Sequence, residues 1–168
     1  SRPVCTFFEA YWQDKFSKNV LPLRVGNDVA TINEVMGVIE ILSRRREYTK
    51  INPFVVLLGK GDHQITSSWT DPAEQDDEDD EDFVFETMLD ITRSNITFVG
   101  TGKDTTTILG GFRIDNQRNI TFKQMTVTNT SGEGNGIWMI DAKVELINLA
   151  LKGCRGPALV IDSPSSET

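Results

Sequence analysis

The sequence predicts a mainly β chain: a solenoid of short stacked strands behind one amphipathic helix. Three observations carry this. Asn-Ile-Thr-Phe occurs at Asn95–Phe98 and again at Asn119–Phe122, 24 residues on, and a further step of 24 lands on Lys143-Val-Glu-Leu146 with the same alternation. A fixed period of this size is the signature of stacked-repeat architectures. From Asn52 onward the chain reads as short β runs separated by turn residues, too closely spaced for a helix in each crossover. Before them lies a single helical stripe of apolar residues.

The elements follow in order. Residues 1–28 form an aromatic-rich extension with Phe7, Phe8, Tyr11, Trp12 and Phe16, read as a short helix, and Pro22 and Gly26 punctuate its exit. The main domain is 29–168. Its helix spans about 31–46, because Ile32, Val35, Met36, Ile39 and Leu42 recur at helical spacing. Thr31 and Glu34 have the spacing of a capping box. Arg44, Arg45 and Arg46 end the pattern and complement the carbonyl end of the helix dipole.

Rungs are expected over about 52–162. Pro53–Leu58 reads as a buried strand stopped by Gly59 and Gly61, and His63–Ile65 as a second, where His63 is an ordinary strand residue. Further strands are read at Phe83–Phe85, Met88–Leu89, Asn95–Val99, Thr106–Leu109 and Phe112–Ile114. The remaining ones are Asn119 to about Val127, Gly136–Ile140, Val144 to about Leu151 and Ala158–Ile161. In a coil of this kind each turn lays its strands about 4.8 Å from the turn below and adds apolar side chains to one continuous core.

Charge is unevenly placed. The formal net charge is −8, yet nine of the twelve residues from Asp71 to Asp82 are acidic. That segment reads as a solvated loop, because like charges repel and resist packing. With no basic patch to offset it, nucleic-acid binding is disfavoured. Mean hydropathy is −0.28, and no apolar run reaches the length of a membrane span. Cys5 and Cys154 are the only cysteines, and their spacing leaves open whether they pair. The opening at Ser1 and the stop after a strand-like run read as a processed form or a piece of something longer.

Three stretches carry a resemblance. The first is Thr31–Val35 with its helix, followed by Phe54–Ile65. The second is Asn95–Gly102, and the third is Asn119–Asn129 running into Gly136-Ile137. Together they resemble the right-handed parallel β-helix, or pectin-lyase-like, superfamily over roughly Val29 to Ile161. The resemblance implies a mainly β, right-handed parallel β-helix solenoid with an N-terminal capping α-helix. No comparable cap is read after Ile161, so either more chain follows or the open end, whose unpaired strand edges invite another chain, meets a partner.

Enzymes of that superfamily acting on acidic polysaccharides use carboxylates on adjacent rungs, to hold calcium or as an acid/base pair. In this chain strand-like runs end in an apolar residue and an aspartate at Asp90, Asp115, Asp141 and Asp162. Aspartate also suits turns for local reasons. The resemblance thus implies Asp115, Asp141 and Asp162 as candidate catalytic residues, with Arg113 and Lys123 facing a sugar carboxylate. Calcium belongs to that reading alone, and no dedicated metal site is expected. The chain has no Asn-Thr-Asp, Gly-His-Gly or Arg-Ile-Lys pattern.

The leading expectation is therefore a non-catalytic module that binds or scaffolds a polysaccharide or protein partner. A lyase or hydrolase of acidic polysaccharide is the second. A structural subunit assembling through the open end is the third. Asn95, Asn119 and Asn129 head Asn-x-Ser/Thr sequons, two of them by-products of the repeat, that would matter only in a secreted protein.

Overall fold

A computed structural model describes residues 22–67, 69–70, 84–85, 87–131 and 134–163. The aromatic stretch with its expected helix, Cys5 and the acidic segment 71–82 lie outside them.

The capping box forms as read. Thr31 Oγ1 accepts from the Asn33 amide, and the Thr31 amide donates to Glu34 Oε2 at 2.8 Å. A single 3-10 turn, Ile32–Glu34, leads into α1, Val35–Ser43. Its stripe of Val35, Met36, Val38, Ile39 and Leu42 is buried. The helix stops at Ser43, and Arg44 is its C-cap. Arg45 and Arg46 therefore lie in the chain beyond it, rather than in its last turn.

The fold is mainly β and its large sheets are parallel. In chain order the strands are β1 Leu23–Val25, β2 Phe54–Leu58, β3 Gly61–Gln64, β4 Trp69–Thr70, β5 Val84–Phe85, β6 Met88–Ile91 and β7 Ile96–Val99. They continue as β8 Thr106–Leu109, β9 Gly111–Asp115, β10 Ile120–Thr128, β11 Ile137–Ile140, β12 Val144–Leu151 and β13 Leu159–Asp162. Seven of them form one sheet in the order β1-β2-β7-β10-β8-β3, with β12 on the other side of β10. Four form a second sheet, β13-β11-β9-β6. Among the described residues, only β4 and β5 pair antiparallel. The sequence reading assigned no strand to β1 or β4.

Register follows the alternation. Phe54, Ile96, Ile120 and Val144 form one rank across β2, β7, β10 and β12, and Val56, Phe98, Phe122 and Leu146 the next inward rank. Ile96, Phe98, Ile120 and Phe122 are wholly buried. Phe98 and Phe122 stack at 5.1 Å between ring centroids, and Phe112 from the second sheet meets Phe122 at 4.6 Å. The two sheets thus share one core, to which α1 contributes Val35, Met36, Val38, Ile39 and Leu42.

Candidate functional site

The expected site lies on the outer side of the four-stranded sheet. Arg113 alternates along β9 with Phe112 and Ile114, which enter the core. Its register partners are Asp90 on β6 and Trp138 on β11. Arg113 Nη1 donates to Asp90 Oδ1 at 3.0 Å, and Nη2 to Asp115 Oδ2 at 2.9 Å. The guanidinium carbon stands 5.4 Å from the centroid of the Trp138 ring, within cation–π reach. Trp138 Nε1 in turn donates to Asp162 Oδ2 at 2.7 Å. One chain of contacts therefore runs Asp90–Arg113–Asp115 and Arg113–Trp138–Asp162 across all four strands.

Asp141 belongs to a different contact. It follows β11 in a left-handed turn at φ +42°, and its Oδ1 pairs with Arg118 Nη2 at 3.3 Å. The Asp141 carbonyl also accepts from Arg118 Nη1. Lys123 lies on β10 in the other sheet, ranked between Val99 and Ile147, so it does not join Arg113.

Register explains why the four strand-end aspartates do not share one rank. The sheet steps by 23 residues from β6 to β9, 25 from β9 to β11 and 22 from β11 to β13. The aspartates step by 25, 26 and 21. Asp115 and Asp162 fall in one rank with Ile140 between them. Two strand spacings put their backbones about 9–10 Å apart. Asp141 falls one residue beyond that rank, and Asp90 two residues before Asp115's partner position.

Chemically, Asp90 and Asp115 are both committed to Arg113, and Asp162 accepts from Trp138. Asp90 and Asp115 together neutralise a guanidinium that is largely buried, the arrangement a buried charge requires. The carboxylates do not fit calcium, because Arg113 already occupies two of them and its charge would oppose a cation at the same oxygens. The sequence reading singled out Arg113 and Asp115 but missed Trp138 and Arg118. Only register puts Trp138 over Arg113, so no local pattern announces it.

Two hollows lie elsewhere. One of about 320 Å³ is bordered by Lys50, Thr97, Asn119, Thr121, Lys143 and Glu145 on the outer face of the seven-stranded sheet. Another, of about 530 Å³, lies beside the end of α1. His63 is an ordinary strand residue whose Nε2 donates to the Gly59 carbonyl at 2.8 Å. No helix among the described residues is long and apolar enough to cross a membrane. In comparisons with known proteins the chain matches no family model, no curated protein and no solved structure.

Proposed function

We propose that the chain is a right-handed parallel β-helix of the pectin-lyase-like kind, acting as a non-catalytic module that binds or scaffolds a polysaccharide or protein partner. The in-register parallel ranks support the coil, since successive passes visit the large sheet and then the small one. The observation that carries the binding role is the outer face of the seven-stranded sheet. There Val55, Thr97, Thr121 and Glu145 form one rank and Leu57, Val99, Lys123 and Ile147 another. Half-exposed apolar and hydroxyl side chains in regular ranks suit a flat polymer or a protein surface, and the hollow between Lys143 and Thr97 supplies a local seat.

The engaged aspartates favour this reading over catalysis, because an acid/base pair needs carboxylates aimed at substrate. The test is incubation with polygalacturonate and calcium, together with a binding screen on immobilised polysaccharides. The expected result is retention on a surface without chain cleavage. Cleavage abolished by Asp141→Asn would replace the proposal with the enzyme reading.

One observation favours assembly as a second reading. Of four exposed large hydrophobics among the described residues, Ile147, Leu159 and Ile161 lie on β12 and β13, the last strands of the two sheets. Ile161 is 65% exposed although its partner Met139 packs against the core. A second copy of this chain laid on that edge would cover them. Sedimentation velocity should then show a concentration-dependent dimer that Ile161→Lys dissociates, whereas a monomer at all concentrations would rule the second reading out.

A further inference from the structure

The hollow beside the end of α1 is lined by four arginines. Its wall contains Arg44, Arg45, Arg46 and Arg93, with Glu47 as the only carboxylate among its lining residues. Its volume of about 530 Å³ is in the range of small-molecule sites.

Arg44, Arg46 and Arg93 are already engaged. Arg93 donates through Nε and Nη2 to both oxygens of Glu40 at 2.9–3.1 Å. Its Nη1 makes no hydrogen bond among the described residues, and neither does the Arg45 side chain. The floor is built of fixed polar groups. Ser94 Oγ donates to Gln117 Oε1, the Arg118 amide donates to Ser94 Oγ, and Asn95 Nδ2 donates to the Tyr48 carbonyl, all at 2.8–2.9 Å. Burial holds the Tyr48 phenol above its ordinary range, against the opposing effect of Arg46, so it remains a proton donor at neutral pH.

We propose that this cleft binds an oxyanion ligand, a phosphate or sulfate ester, clasped by Arg45 and the outer edge of Arg93. Guanidinium groups present paired N–H donors that match such oxygens. Arg45 extends from the chain just past α1, and Arg93 from the connection between β6 and β7. A ligand bridging them would span two segments already joined by the Glu40–Arg93 pair. This inference goes beyond the binding-module reading and does not depend on it.

Calorimetric titration at low ionic strength tests it, with inorganic pyrophosphate and inorganic sulfate as separate probes. The expected result is saturable binding of at least one, weakened about tenfold in Arg45→Gln, as loss of a charged hydrogen bond implies. Preference for pyrophosphate identifies a phosphate ester, and equal or better binding of sulfate a sulfate ester. Arg45 is exposed and makes no side-chain hydrogen bond or ion pair among the described residues, so its variant should fold normally. Arg93→Gln supplies a second reading, and Arg155→Gln, on a distant exposed loop, is the control. No binding of either probe overturns the proposal, as does binding that Arg45→Gln leaves unchanged or that Arg155→Gln weakens equally.

Discussion

Asn95 and Asn119 sit at φ +64° and +59°, a left-handed conformation that asparagine tolerates better than other branched or long side chains. Each begins its tetrapeptide by turning the chain into a strand. Asn119 Nδ2 donates to Asn95 Oδ1 at 2.8 Å, and Asn95 Nδ2 continues to the Tyr48 carbonyl. The repeated asparagine thus supplies both a turn and a rung of an amide ladder. Lys143, at the third step, has no positive φ and takes no place in the ladder. Replacing Asn119 separates the two roles. Asn119→Ala should cost about 1–3 kcal/mol, from backbone strain and an unsatisfied partner. Asn119→Gly should cost less, because it relieves the strain. Urea denaturation midpoints check this, and equal losses would assign the whole cost to the ladder. The same bonds bear on the sequons: the Asn95 and Asn119 amide nitrogens are engaged, and Asn129, almost wholly buried, donates to the Asn135 carbonyl at 3.0 Å.

At the level of elements, α1 depends on its first turn. Thr31→Ala removes the side-chain acceptor of the capping box and should lower stability by about 1 kcal/mol, measurable as a shift in thermal midpoint. Farther along the helix, Glu40 ties α1 to the β6–β7 connection. The Arg93 hydrogen bonds hold its carboxyl below the ordinary 4.5, outweighing the desolvation that would raise it. A carboxyl depressed in the folded state stabilises the fold fully above its unfolded value and loses that contribution as pH falls through the folded one. The stability difference between the native chain and Glu40→Gln should therefore be constant well above pH 4.5 and shrink below it. Paired denaturant curves across that range measure it, and a difference that grew on acidification would contradict the assignment. Glycine spacing matters at this scale as well. A Cβ on Gly100 would lie 2.2 Å from the Gln124 carbonyl oxygen, on the strand of the next pass. Close approach between β7 and β10 requires that glycine.

Across the whole molecule, stability concentrates where the two sheets meet. Phe98 and Phe122 come from the large sheet and Phe112 from the small one, and all three are wholly buried. Phe122→Ala should cost about 3–5 kcal/mol, the range for truncating a fully enclosed aromatic. Ile161→Ala, at the exposed edge, should stay within about 0.5 kcal/mol. Chemical denaturation of both variants measures the contrast, and comparable losses would mean that the edge is covered in solution. The same contrast underlies the assembly reading, since the last strands leave Ile147, Leu159 and Ile161 exposed.

Local periodicity was enough to identify the capping box, the buried face of α1 and most strands, because a strand's two faces follow from alternation alone. It was also enough to predict a mainly β chain with parallel pairing at a step of 24 residues. The helix end differs because the reading carried the helix through the arginine triplet, whereas the backbone leaves the helix at Arg44 and the triplet lines a cleft. Register was decided only in three dimensions. The strand-end aspartates repeat in sequence at nearly constant intervals, but the connecting loops set steps of 23, 25 and 22 residues between strands. A mismatch of one residue carries a side chain to the opposite face, and a mismatch of two carries it to the next rank. That is why Asp90 and Asp115 converge on Arg113, Asp162 reaches Trp138, and Asp141 turns away to Arg118.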